Sequence, residues 1–253
     1  MILITPLLLV GQTNLVITDQ IVTYSSLSNA TATVSGISEL HLTSASPLSN
    51  CVVNLNSLDS WLFLEQVRPS VALSSYLGQV RVNGTNAVNA SNVKVVQYVN
   101  GSVIIPHPSN FKPLQIYDGS FCSGNTLSLG VNTYYKKALL GQLDDAVSSF
   151  RLKRGYMATF AQDEAGTGYS KVYVAQDSDL IINAMPGELD NTVSFIRVLP
   201  WRWVNKKGWC GSDPGAFNAL ECSWNYDWDN CANSTIDTEY IPMRAKSNWN
   251  SYS

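Results

Sequence analysis

Charge is scarce in this chain: Asp, Glu, Lys and Arg together make up 14% of 253 residues and leave a net charge of −3. Without a basic patch or a long Lys/Arg run, the electrostatic footprint of a DNA- or RNA-binding protein is missing, which speaks against a nucleic-acid partner. Histidine is rarer still, with two residues. His41 lies in an alternating, strand-like stretch and His107 between two prolines, so neither belongs to a nucleophilic triad or a zinc set. There is no G-x-S-x-G elbow, no phosphate-binding glycine loop and no dinucleotide fingerprint. No apolar run is long enough for a membrane span; Met1 to Val10 is apolar but short, and it lacks the positive flank of a secretion signal. Residues 1 to 11 therefore read equally as the remnant of a signal or as a first strand. The five cysteines show no CxxC spacing, and Cys210, Cys222 and Cys231 lie close together, a pattern that favours disulfides in an oxidising compartment over zinc.

What is present is apolar and hydroxyl-rich sequence in short alternating runs. Hydrophobic residues reach 45%, enough to build real cores. From 12 to 110, runs such as Ala32 to Ser35, Glu39 to Thr43, Cys51 to Leu55, Trp61 to Leu64 and Gly78 to Val82 recur about every ten residues, with Ser, Asn and Gly between them. This spacing predicts an all-β module. Closely spaced turns favour a short β-solenoid, with a β-sandwich as the alternative. Five N-x-S/T sequons, at Asn29, Asn83, Asn89, Asn100 and Asn233, agree with a secreted or cell-surface setting. Pro106, Pro108 and Pro113 then mark a domain boundary.

Beyond that boundary one phrase occurs twice. Leu143-Asp-Asp-Ala-Val-Ser-Ser-Phe-Arg-Leu152 and Leu189-Asp-Asn-Thr-Val-Ser-Phe-Ile-Arg-Val198 share five of ten positions at a period of 46 residues, the mark of an internal duplication. Each copy closes a set of four short predicted strands, the count for two Greek keys over 113 to 199. The turns Asp144-Asp145-Ala146-Val147-Ser148-Ser149 and Asp190-Asn191-Thr192-Val193-Ser194-Phe195, with aromatic-and-glycine hairpins at Tyr117, Phe121 and Gly124 and at Phe160, Gly166 and Gly168, resemble the βγ-crystallin family. That resemblance implies a double Greek key and calcium held by oxygen ligands shared between the halves. The implied ligands are Asp145, Ser148 and the Ala146 carbonyl in one copy, and Asn191, Ser194 and the Thr192 carbonyl in the other, with Asp144 and Asp190 bracing the turns. Hard oxygen ligands suit calcium, and Asn191 lowers the charge of one site, so unequal affinities are expected. Turn chemistry without a metal accounts for the same Asp, Asn and Ser residues, which bond readily to nearby backbone.

Residues 200 to 253 hold six of the seven tryptophans. Such flat aromatic faces suit sugar rings, and Trp224, Tyr226 and Trp228 are the candidates for contact with a polysaccharide; Trp201 and Trp203 read as junction core. Ser223-Trp-Asn-Tyr-Asp-Trp228 and Glu239-Tyr-Ile-Pro-Met243 resemble the opening strands of the alkali-sensitive-linkage type of glycosyl hydrolase, barrel enzymes of β-1,3-glucan. The resemblance implies the truncated start of a (β/α)₈ barrel, which needs roughly 200 to 250 residues. The family's paired glutamates come from later strands, so no catalytic residue is expected up to Ser253. The composite expectation is a mostly-β, extracellular, calcium-binding accessory or carbohydrate-targeting region that acts beside a β-glucan-like polysaccharide. A glycoside hydrolase and a structural surface protein stand as the alternatives.

Overall fold

The computed structural model describes residues 13 to 203 and, beyond them, 208 to 211, 213 to 220, 222, 224 to 226 and 239 to 240. The secondary structure is mostly β. Two units separate at Phe111 and Lys112, with Arg202 and Trp203 belonging to the first. The apolar stretch before Thr13, Cys231 and Trp228 lie outside the described residues.

In the first unit the strands pair in parallel and the chain keeps returning to the same sheet. Strands β1 (Thr13–Thr18), β4 (Ala30–Ser35), β7 (Val52–Leu55) and β9 (Val80–Val82) form one ladder, edged by antiparallel β10 (Thr85–Asn86). Thr13 pairs with Ala30, Thr31 with Val52 and Val53 with Val80, so the returns take 17, 21 and 27 residues. A second ladder stacks β2 (Ile21–Tyr24), β5 (Ser38–Leu42) and β8 (Ser60–Leu64) in parallel. The two-residue strands β3 (Leu27–Ser28) and β6 (Leu48–Ser49) make a third side. An antiparallel hairpin of β11 (Val93–Tyr98) and β12 (Gly101–Pro106) closes the second sheet against β8. A helical run over Pro69–Val71, Ala72–Tyr76 and Leu77–Gln79 stands between β8 and β9.

Alternation decides what faces inward. Ala30, Ala32 and Val34 of β4, Leu40 and Leu42 of β5, Val53 and Leu55 of β7, and Val80 and Val82 of β9 fill one core. The corners need left-handed backbone, and Asp19, Asn29, Asn50 and Asn83 supply it, because their short polar side chains tolerate positive φ. Asn50 donates through Nδ2 to Asn29 Oδ1 at 2.8 Å, so equivalent corners of successive turns are tied together. At Gly36 a Cβ would lie 2.1 Å from Asp19 Oδ1, the oxygen that accepts from Ile37 N at 2.9 Å. A side chain at 36 would push Asp19 Oδ1 off Ile37 N and sit in left-handed backbone.

Strand β8 is buried on both faces. Its outward residues Trp61 and Phe63 pack with Val96, Val103 and Ile105, and half-buried Tyr98 and Trp203 join them. Beside this cluster His41 stacks on Phe63, with ring centroids 4.1 Å apart. Its Nε2 meets Glu39 Oε2 at 3.0 Å and its Nδ1 meets Glu65 Oε1 at 2.9 Å. Burial alone would push the imidazole's pKa down, but the two carboxylates outweigh it and raise the value above the ordinary 6.5. A raised folded-state pKa means that this contribution to stability is complete below the unfolded value and fades as pH climbs through the folded one. The first unit of the wild type should therefore lose stability relative to His41→Gln as pH rises past the ordinary imidazole value of 6.5 and on through the higher folded-state value. Thermal melts across that range check it, and a constant difference would contradict it.

The second unit carries two four-stranded antiparallel sheets. Labelled β13 (Leu114–Gly119), β14 (Ser123–Leu129), β15 (Asn132–Lys136), β16 (Ser149–Leu152), β17 (Tyr156–Ala161), β18 (Ser170–Ala175), β19 (Leu180–Ile182) and β20 (Phe195–Pro200), its strands run β14-β13-β16-β19 in one sheet and β15-β20-β17-β18 in the other. Each copy of the duplicated segment keeps three strands together and sends its third to the other copy's sheet. These are two Greek keys related by exchange of β15 and β19. Leu114, Ile116, Phe150, Leu152, Ala158, Phe160, Ile196 and Val198 are fully buried between the sheets.

Past residue 207, β21 (Gly208–Cys210), β22 (Trp224–Tyr226) and β23 (Glu239–Tyr240) pair in parallel, with a helix over Pro214–Ala219 between the first two. Three short strands and one helix do not make a barrel, and the expected start of a (β/α)₈ barrel is not seen among the described residues. The disulfide expectation fails for Cys51, Cys122 and Cys210, which carry free thiols. Cys51 is instead a small core residue whose Sγ donates to Ser49 O at 3.1 Å. No described helix is long and apolar enough to cross a membrane.

Candidate functional site

Both copies of the duplicated phrase form tight turns, and the turns lock onto each other. Asp145 and Asn191 hold the equivalent left-handed positions, with φ of 51° and 57°. Asp145 N donates to Val193 O at 3.0 Å and Asn191 N donates to Val147 O at 3.1 Å, a reciprocal pair of backbone bonds. Val147 and Val193 point into the core and are fully buried. Ser148 N donates to Tyr117 O at 2.8 Å, and Ser194 N lies against the Ala161 and Gln162 carbonyls at 3.1 and 3.2 Å, so each turn is anchored to its own first strand.

The side chains cross between copies. Ser148 Oγ lies 2.7 Å from Asp190 Oδ1 and 3.2 Å from Asn191 Oδ1. Ser194 Oγ lies 2.6 Å from Asp144 Oδ1 and 3.0 Å from Asp145 Oδ1. Each oxygen cluster therefore draws its hydroxyl from one copy and its Asp/Asn pair from the other. Ser148 and Asp145 belong to different clusters, as do Ser194 and Asn191. Asp144 and Asp190 make the shorter bonds. Ala146 and Thr192 stand half-buried at the equivalent next position, and Thr192 Oγ1 donates to Glu188 O at 2.8 Å. Asp145 and Asn191 are exposed, which leaves both clusters open to solvent.

A serine has one proton to give, and here two acceptors compete for it. At Ser148 the conflict has a remedy, because the Asn191 amide can turn and donate from Nδ2. At Ser194 both neighbours are carboxylates, so an oxygen without a proton faces another. The donor set is entirely hard oxygen, the chemistry of calcium or magnesium rather than of a softer metal. Among the described residues no three His, Cys, Asp or Glu side chains converge. A cation here would thus rely on hydroxyl, amide and carbonyl oxygen and on water as much as on carboxylate.

One cation already stands at the acidic cluster. Lys137 Nζ lies 3.0 Å from Asp144 Oδ2, with the lysine 64% exposed and the aspartate 9%. The hydrogen bond to Asp144 is the largest cause of an elevated lysine pKa, helped by the fields of Asp144, Asp145 and Glu164. Sequence reasoning passed over this residue. The signal for it was the 46-residue period: the position equivalent to Lys137 is Asn183, so the lysine is a feature of one copy alone.

The hairpins differ between copies as well. Ser149 Oγ donates to Gly119 O at 2.5 Å and accepts from Cys122 N at 3.0 Å, fastening the first hairpin. At the corresponding place Phe195 makes no such bonds and packs its ring 3.4 Å from where a Cβ on Gly166 would stand. Gly124 has φ of +80°, and a Cβ there would lie 2.0 Å from Asp118 Oδ1, so a side chain would be strained and would displace the carboxylate that accepts from Asn125 N. Phe121, expected as a hairpin aromatic, is 75% exposed. Of the candidate sugar-binding residues, Trp224 and Tyr226 are half-buried with stacked rings 6.0 Å apart.

No family model matches this chain, and no curated protein does. Solved structures similar to it are βγ-crystallin domains. A βγ-crystallin domain from Flavobacterium johnsoniae is 28% identical, covering 35% of this chain and 94% of its own, with a TM-score of 0.31. The N-terminal domain of protein S is 24% identical over 34% of this chain and 94% of its own, with a TM-score of 0.30. A βγ-crystallin domain from Clostridium beijerinckii is 16% identical over 34% and 97%, also with a TM-score of 0.30. These likenesses reach about a third of the chain, and the double Greek key over 114 to 200 stands on its own strand pairing.

Proposed function

We propose that this protein is an extracellular calcium-binding module in which a short β-solenoid accompanies a double Greek key of βγ-crystallin type. The observation that supports it is the proton deficit at the crossed turns, where one hydroxyl faces two carboxylates and a divalent cation would relieve the conflict. Asp144, Asp145 and Ser194 would hold one ion and Asp190, Asn191 and Ser148 a second, with the Ala146 and Thr192 carbonyls available to complete them. Calcium supplies positive charge that joins the two copies of the duplicated segment at the point where their backbones already exchange bonds. Few carboxylates and solvent-open positions fit weak sites, with dissociation constants of about 10⁻⁴ to 10⁻³ M, the range of extracellular modules.

Titration calorimetry with calcium tests this reading. Two unequal sites are expected in the wild type, the tighter one lost in Asp145→Ala and in Ser194→Ala, and the weaker one lost in Ser148→Ala. Unchanged binding in all three variants would sink the assignment.

A further inference from the structure

Lys137 begins the short helix Lys137–Leu140, directly after β15, the strand that has crossed to the other sheet. Gly141 N donates to Lys137 O and closes that helical turn, so the backbone beneath the lysine is fixed while its side chain stays largely in solvent. Asp144 is consequently occupied on both oxygens: Oδ1 by the Ser194 hydroxyl at 2.6 Å and Oδ2 by Lys137 Nζ at 3.0 Å. The second copy has an asparagine at the matching position.

We infer that Lys137 is a built-in competitor for calcium at the Asp144, Asp145 and Ser194 cluster, a regulatory role that rests on the calcium reading above. The ammonium group cancels one of the two negative charges of the more acidic cluster while no ion is bound and must swing away, or tolerate a divalent neighbour, when one arrives. Its exposure lets it leave without unpacking anything. Displacement lowers the affinity of the acidic cluster and brings it closer to that of the cluster containing Asn191. Lys137 thus offsets the extra carboxylate at 145, and the two ions load over a narrower span of calcium concentration than the charge count alone would dictate.

The test isolates each cluster by removing the other hydroxyl. In a Ser148→Ala background, which leaves the acidic cluster, Lys137→Met should bind calcium about fivefold more tightly, and Lys137→Arg should match the parent. In a Ser194→Ala background, which leaves the Asn191 cluster, Lys137→Met should change nothing. Equal affinity with and without Lys137 in the first background overturns the inference alone, and so does an equal gain in both backgrounds, which would report net charge rather than competition. Absence of calcium binding in every one of these proteins overturns it together with the reading beneath it.

Discussion

Phe150→Ala is expected to destabilise the second unit by about 3 to 5 kcal/mol, the range for truncating a fully buried aromatic whose surroundings cannot close in. Phe150 has no exposure, stacks on Phe160 at 4.7 Å and meets Tyr173 edge-on at 4.9 Å. Those rings come from β16, β17 and β18, so their contact joins both sheets and both copies of the duplicated segment. The cavity cannot be filled by a neighbour without parting one ring from another. Denaturant unfolding followed by near-ultraviolet circular dichroism measures the loss, and a cost under about 1 kcal/mol would mean that the aromatic cluster is not the keystone of this core. A local consequence accompanies the global one. Phe150 follows Ser148 by two residues, so a slackened β16 should also weaken calcium binding.

The second large effect is the stability that calcium itself confers. A ligand that binds the folded state alone stabilises it by RT ln(1 + [L]/Kd), about 1.4 kcal/mol per site at ten times Kd and about 3 kcal/mol for two sites. In a domain of this size that corresponds to a rise in Tm of roughly 10 to 20 °C, reversed by a chelator. Asp145→Ala should keep about half of the gain, because the Asn191 cluster survives, and the double variant Asp145→Ala/Ser148→Ala should keep none. If the double variant melts as the wild type does with calcium, the ion acts somewhere other than these turns.

How far the sequence foretells this arrangement depends on how local the chemistry is. The turns at 144 to 149 and 190 to 195 are legible because Asp, Asn and Ser commit the backbone within a few residues, and the 46-residue period ties one turn to the other. The crossing of their side chains is not legible: that Ser148 meets Asp190 and Asn191, 42 and 43 residues away, follows from the exchange of β15 and β19 between sheets. In the first unit alternation reveals which residues face the core, yet period-two patterning is the same for parallel and antiparallel partners, so strand direction is written only in the return of the chain. Trp203 shows the same limit. Its place against Trp61, Phe63 and Tyr98 depends on contacts across more than a hundred residues. Cys51 lies far from the cysteines grouped at 210, 222 and 231, and nothing in its spacing shows that it serves as small apolar filling.

The traded strands have one more implication. With β15 completing the second copy's sheet and β19 completing the first copy's, the segment that was duplicated is not the segment that can fold. A single copy would expose the edge of β16 or β20 where its sister's strand belongs, so its natural remedy is a second molecule of itself. The linked pair closes that exchange within one chain, and the reciprocal Asp145–Val193 and Asn191–Val147 backbone bonds join its two halves.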